Sequence, residues 1–151
     1  MFRTRELRHE IEIDAPPAAV WAVLTDTGAY PDWNPFVRRL SGELRAGARL
    51  EARIAPPHGR AMTFKPTVLT AEPNRELRWL GRFLLPGLFD GEHSFRIEPA
   101  AGGRARFIQT ERCSGILTGL LGSALDKTQL GFEQMNDALK LRVEARADGA
   151  S

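Results

Sequence analysis

Apolar and polar residues alternate over Leu7-Arg-His-Glu-Ile-Glu-Ile13, with Leu7, His9, Ile11 and Ile13 on one side and Arg8, Glu10 and Glu12 on the other. That period of two predicts a half-buried strand. Pro17 then suits the first position of a helix, where its missing N–H costs nothing. Val20, Trp21 and Leu24 supply an apolar stripe, and Gly28 is placed to end the helix. The stretch around Pro31 and Pro35 reads as a short helical turn or two carrying Tyr30, Trp33 and Phe36. Strands are predicted near Arg39–Leu44, Arg49–Ala55, Met62–Ala71, Leu77–Phe83, Gly91–Pro99 and Arg104–Ser114. The connections between them are short and rich in Gly, Pro and Asn, which favours antiparallel hairpins over crossover helices.

From Leu117 the period changes. Leu117, Leu121, Ala124, Leu125, Thr128, Phe132, Met135 and Leu139 recur at three- and four-residue steps, with Asp126, Lys127, Glu133, Asp137 and Lys140 around them. A helix of roughly 28 residues would run about 40 Å at 1.5 Å per residue, enough to cross a domain of this size. Ala124, Thr128 and Gly131 are small where a filled core would want leucine, which suggests room between helix and sheet. The order of elements therefore predicts an α+β fold: a curved antiparallel sheet wrapped around a long C-terminal helix, with two short helices after the first strand. No internal repeat or linker divides the chain, so residues 1–151 read as one domain with its core at about 7–145.

Composition changes this picture little. The 21 Lys and Arg residues nearly balance 19 Asp and Glu. Arginines alternate with apolar residues along predicted strands, as in Arg49-Leu-Glu-Ala-Arg-Ile54, instead of gathering on one face as in nucleic-acid binders. No nucleic-acid partner is expected. Cys113 is the single cysteine, the N-terminus is charged, and no apolar run approaches the roughly 18 residues of a membrane span. The expectation is a cytoplasmic protein without integral membrane association. Nothing in the pattern sets the oligomeric state, and a homodimer stays open.

The motifs, taken in order, resemble one superfamily. They are Ala15-Pro-Pro-Ala-Ala-Val-Trp21 with Leu24-Thr-Asp26, then Tyr30-Pro-Asp-Trp-Asn-Pro35 and Leu77-Arg-Trp79. Gly91-Glu-His-Ser-Phe95, Gly102-Gly-Arg104, and Gln109-Thr-Glu111 leading to Gly115-Ile-Leu117 complete the set. The chain resembles the START-like (SRPBCC) superfamily in its polyketide cyclase/dehydrase and lipid transport branch, over about residues 7–145. The resemblance implies a helix-grip fold enclosing a mostly apolar cavity. It does not imply one activity, since one fold hosts many functions.

Alternation places His93, Phe95 and Ile97 on one side of their strand, and Ala105, Phe107, Gln109, Glu111 and Cys113 on one side of the next. If the apolar members point inward, His93, Gln109 and Glu111 go with them. A few polar groups in an apolar cavity orient a ligand; the alternative is that they satisfy one another. The candidate ligand contacts are Trp33, Phe64, Trp79, His93, Phe95, Gln109, Glu111, Leu121, Thr128 and Phe132. No catalytic set is recognisable. His9 reads as a core residue, His58 as solvated in Pro56-Pro-His-Gly59, and the spacing of histidines and Cys113 does not suggest a metal. No cofactor is expected either.

The apolar segment Phe83-Leu-Leu-Pro-Gly-Leu-Phe89 reads as a lid, a partner surface or packed core, and Ile116–Leu121 could join it at the mouth of the pocket. Three functions compete. The first is binding or carriage of a small hydrophobic molecule, lipid- or polyketide-like. The second is a cyclase or dehydratase acting through His93 or Glu111. The third is a co-chaperone-like interaction domain.

Overall fold

The computed structural model describes residues 3–82 and 87–149. Strand β1 (Arg3–Ile13) leads into helix α1 (Pro17–Thr25), a 3₁₀ turn (Thr27–Ala29) and the short helix α2 (Tyr30–Trp33). Seven strands follow: β2 (Val37–Ser41), β3 (Glu51–Ile54), β4 (Met62–Phe64), β5 (Thr67–Glu72), β6 (Glu76–Arg82), β7 (Asp90–Ala100) and β8 (Arg104–Gly115). A 3₁₀ segment (Ile116–Leu120) then opens into the 28-residue helix α3 (Gly122–Gly149).

The strands form a five-stranded sheet in the order β1-β8-β7-β6-β5 and a three-stranded sheet β2-β3-β4, with every pairing antiparallel. The architecture is the expected α+β helix grip. One strand differs. The run predicted over Met62–Ala71 breaks at Lys65-Pro66, and its halves, β4 and β5, join different sheets. Pro66 has no N–H to give a ladder, but its carbonyl accepts from Leu50 N at 2.8 Å. The two sheets stay linked there by a bridge between Arg49 and Thr67 and by Val68 N donating to Ala48 O at 2.8 Å.

Helix α1 begins at Pro17 as expected and ends at Thr25, before Gly28. Asp26, at φ −80° and ψ 68°, leaves the helical region instead, and Gly28 lies inside the following 3₁₀ turn. The aromatic corner beyond it is pinned by hydrogen bonds. The Tyr30 hydroxyl donates to Leu24 O, and Asn34 Oδ1 accepts from Phe36 N at 3.0 Å and Val37 N at 2.9 Å. The turned chain delivers Phe36 edge-on to Phe132 of α3, with ring centroids 5.7 Å apart.

Leu125, Phe132, Met135, Leu139 and Val143 are the buried stripe of α3. Of the adjacent Ala124 and Leu125, both expected on that stripe, Leu125 is buried and Ala124 is exposed. The helix rotates to bury the larger apolar side chain, and turning one methyl outward costs little. Gly131 is not vacant room either: the Phe36 ring occupies the space a Cβ would need.

Side chains of α3 also cover the free edge of β1. Gln129 accepts from Arg8 N at 3.2 Å and donates to Arg8 O at 2.8 Å, Lys140 donates to Glu12 O at 2.9 Å, and Glu144 accepts from Asp14 N at 2.8 Å. These bonds occupy part of the outward N–H and C=O row that an edge strand would otherwise offer to a further strand.

Residues 83–86 of the apolar segment, including Leu84 and Leu85, lie outside the described residues. Beyond them, Gly87 O accepts from Ile116 N at 3.2 Å and Leu88 O from Leu117 N at 2.9 Å. Gly115 makes this approach possible. It has φ +119°, and a Cβ there would lie 2.6 Å from Leu88 O. The apolar segment and the 3₁₀ segment thus meet, with Ile116 and Leu120 exposed beside them. No described helix is long and apolar enough to cross a membrane.

Candidate functional site

Residues directly opposite in an antiparallel sheet share a face, so register alone assembles the centre of the site. One cross-strand row runs His9, Gln109, Phe95, Leu77, and the next runs Leu7, Glu111, His93, Trp79. A third places Cys113 opposite Gly91. All these positions face α3, which lays Phe132 and Asn136 over them. Phe132 approaches the His93 ring at 5.0 Å, and Asn136 reaches Gln109 at 2.8 Å.

His93 is 3% exposed and enclosed by aromatic rings: Trp79 at 5.3 Å, Phe95 at 4.5 Å and Phe132 at 5.0 Å between centroids. Its polar atoms nonetheless have partners. Nε2 lies 2.9 Å from Gln109 Oε1, and Nδ1 lies 3.6 Å from Glu111 Oε1. Gln109, fully buried, donates from Nε2 to Asn136 Oδ1 at 2.8 Å. Asn136 turns its own Nδ2 to His9, 2.8 Å from Nδ1 and 3.1 Å from the carbonyl oxygen. A hydrogen-bonded chain therefore crosses the apolar core from His9 to His93, and Glu111 Oε1 stands 3.6 Å beyond it.

Glu111 is half-buried, its side chain 21% exposed, and so is His9 at the other end of the chain. Gly91, opposite and offset, leaves the slot the carboxyl occupies, since a Cβ there would sit 3.1 Å from Oε1. Oε2 accepts from the Cys113 thiol at 3.7 Å. Burial, and then the Glu111 charge beside it, push that thiol far above its ordinary range. Cys113 is thus a buried donor to Glu111, held in its thiol form. Among the described residues no three His, Cys, Asp or Glu side chains are grouped to hold a metal ion.

Of the ten candidate contacts, the structure brings together Trp79, His93, Phe95, Gln109, Glu111 and Phe132. Phe64 instead sits on the three-stranded sheet opposite Ala52, half-buried. Trp33 packs edge-on against Tyr30 at 5.3 Å. Leu121 and Thr128 are half-buried in the first turns of α3 and the residue before them, with the Thr128 hydroxyl bonded back to Ala124 O at 3.0 Å. Asn136 was not among the candidates. The signal for it was positional: it lies four residues after Phe132 and three before Leu139, a polar residue on the buried stripe.

With this geometry in view, the likeness to known proteins has content. Residues 4–144 match the family described as polyketide cyclase / dehydrase and lipid transport. The chain belongs to that family. Its fold is shared with solved structures at low sequence identity. An aromatase/cyclase, Zhui, from Streptomyces sp. R1128 superposes with a TM-score of 0.75 at 16% identity, covering 96% of each chain. A norcoclaurine synthase point mutant from Thalictrum flavum, in complex with a transition-state analogue, gives 0.74 at 14% identity over 97% of this chain and 98% of that one. A START superfamily protein from Mycobacterium smegmatis gives 0.72 at 19% identity over 93% and 97%. No curated protein sequence matches the chain. At such identities the likeness is one of fold, and what each of these proteins binds remains a statement about that protein.

Proposed function

We propose that this member of the family binds a small, mostly apolar molecule between the five-stranded sheet and α3, with the molecule's polar end on Glu111. One observation carries the reading. Gln109 and Asn136 satisfy each other inside the core, whereas Glu111 keeps a partly exposed carboxyl beside the buried aromatic side chains of Trp79, Phe95 and Phe132 that surround His93. A largely apolar surface with one converging polar group is what orients a greasy ligand. The exposed apolar side chains Ile116 (63%) and Leu120 (81%) beside the Leu88 turn supply a rim over which such a molecule would pass.

The test uses N-phenyl-1-naphthylamine, a neutral apolar fluorophore with a single N–H donor. Saturable one-to-one binding to the full chain is expected. Glu111→Leu should weaken it about tenfold, as the loss of about 1.5 kcal/mol from a hydrogen bond to a charged group implies. Absence of saturable binding, or unchanged affinity in a folded Glu111→Leu protein, overturns the reading.

A second reading, a cyclase- or dehydratase-type enzyme, is favoured by the histidine standing behind Glu111. General acid–base work needs only one well-placed titrating group. Glu111→Gln would then lower turnover by roughly 10²–10⁴-fold while binding persists.

A further inference from the structure

The polar chain behind Glu111 has a direction, and the direction sets where hydrogens can be. A main-chain carbonyl only accepts, so the 3.1 Å contact to His9 O fixes Asn136 Nδ2 on the β1 side and leaves Oδ1 facing Gln109. Gln109 Nε2 donates to that oxygen at 2.8 Å, which turns Gln109 Oε1 toward His93 Nε2 at 2.9 Å. An amide oxygen also only accepts. The His93 hydrogen therefore sits on Nε2. A neutral imidazole carries one N–H, so Nδ1 of a neutral His93 is a bare lone pair, and it faces Glu111 Oε1 at 3.6 Å.

From this we infer that Gln109 and Asn136 are positioning residues that commit His93 and Glu111 to holding one proton between them, making Glu111 the accessible end of a one-proton acid–base couple. A lone pair opposed to a carboxylate oxygen in a site this enclosed is repulsive, and one proton removes the repulsion. On Nδ1 it gives an imidazolium against a carboxylate; on Oε1 it gives a carboxylic acid against a neutral imidazole. The groups packed around the pair offer no substitute. Trp79 from β6, Phe95 from β7 and Phe132 from α3 do not titrate, Cys113 from β8 donates to the other carboxyl oxygen, the Arg5 guanidinium from β1, opposite Cys113, is bonded to Asp126 and Gly122 O, and His9 from β1 is reached only through Asn136. His9 itself must keep Nδ1 bare to accept from Asn136.

The consequence for the site deepens the binding proposal and rests on it only where a ligand is concerned. A ligand O–H or N–H meets a carboxylate whose charge is balanced from behind. If that hydrogen crosses, the ligand bond to it breaks, Glu111 gains the proton, and the imidazolium balances the anion left on the ligand. In the other form the acid's hydrogen lies on Oε1 against Nδ1 and is not offered to a ligand acceptor. The couple can thus take one proton from a ligand and return it without leaving an unbalanced charge in the core.

The experiment needs no ligand, so its failure is separable from failure of binding. Long-range proton–nitrogen correlation NMR on the full chain, labelled with ¹⁵N-histidine, reads which ring nitrogen of His93 carries hydrogen. The wild type should show a protonated Nε2, and Glu111→Gln should leave Nε2–H in place with Nδ1 a pure acceptor. Gln109→Leu should lose the Nε2–H signature and move the hydrogen to Nδ1 against the carboxylate. Gln109→Glu, which retains an acceptor oxygen, should restore it. A wild-type His93 with a bare Nε2, a wild-type Nδ1 that is bare while the Glu111 carboxyl carbon shift is that of a carboxylate, or a Gln109→Leu protein with an unchanged signature, overturns the inference. The wild-type spectrum decides even if Gln109→Leu does not fold.

Discussion

The Phe36 ring fills the space that a Cβ on residue 131 would occupy, so Gly131 of α3 and the aromatic corner after α2 are fitted to each other. Mid-helix glycine is normally a weakness of about 1 kcal/mol relative to alanine. Here the close approach lets Phe36 meet Phe132 edge-on at 5.7 Å. Gly131→Ala should therefore destabilise despite its better helix propensity, by about 1–3 kcal/mol as overpacking does. Adding Phe36→Leu should recover part of that loss, because the smaller side chain clears the new methyl. Urea unfolding of the three proteins measures both effects, and a more stable Gly131→Ala protein would contradict the packing.

Much of this is legible in the sequence, for reasons that differ by residue. Strand faces are a matter of period two, so the alternation around His93 and Gln109 is enough to place both inward. Helix rotation is harder, because Ala124 and Leu125 are adjacent and only tertiary packing chooses between them. Gly131 reads as empty space in the sequence because the residue that fills it, Phe36, lies 95 positions away in the chain. The division of Met62–Ala71 is visible as Pro66, but an apolar run on both sides of it reads as one strand. Gln129, Lys140 and Glu144 look like solvent-facing helix residues, and their bonds to the main chain of β1 have no sequence signature.

Glu144 makes stability depend on pH. The hydrogen bond from Lys140 Nζ, at 2.6 Å, and then the one from Asp14 N, at 2.8 Å, hold its carboxyl below the ordinary value of 4.5. A carboxyl whose folded value is depressed adds stability above its unfolded value and loses it as pH falls through the folded one. Glu144→Gln should be less stable than wild type at pH 7 by about 0.5–1 kcal/mol, the scale of a screened surface pair. The difference should close as pH falls below about 4. A gap that persists at pH 2 would mean the lost contacts are not ionic.

Cys113 should be silent to thiol reagents. It is fully buried, and both burial and the adjacent Glu111 charge keep it protonated. Ellman's reagent at pH 8 should label it only at the rate of local or global opening, and quickly in denaturant. Rapid stoichiometric labelling of the folded protein would show that the thiol is accessible and that its place behind Glu111 is wrong.

The polar chain also makes a claim about stability that single substitutions cannot isolate. Asn136→Leu strands Gln109 Nε2 and the two His9 acceptors, and Gln109→Leu strands Asn136 Oδ1 and His93 Nε2. Each orphaned buried group costs about 1–3 kcal/mol. In the double variant neither amide exists to be stranded by the other, so the combined loss should fall short of the sum. The expected coupling is about 0.5–3 kcal/mol, the range for residues in one hydrogen-bonded network. Four proteins and their urea midpoints complete the cycle. Strict additivity would mean that Gln109 and Asn136 are separately satisfied, and that the chain from His9 to His93 is broken between them.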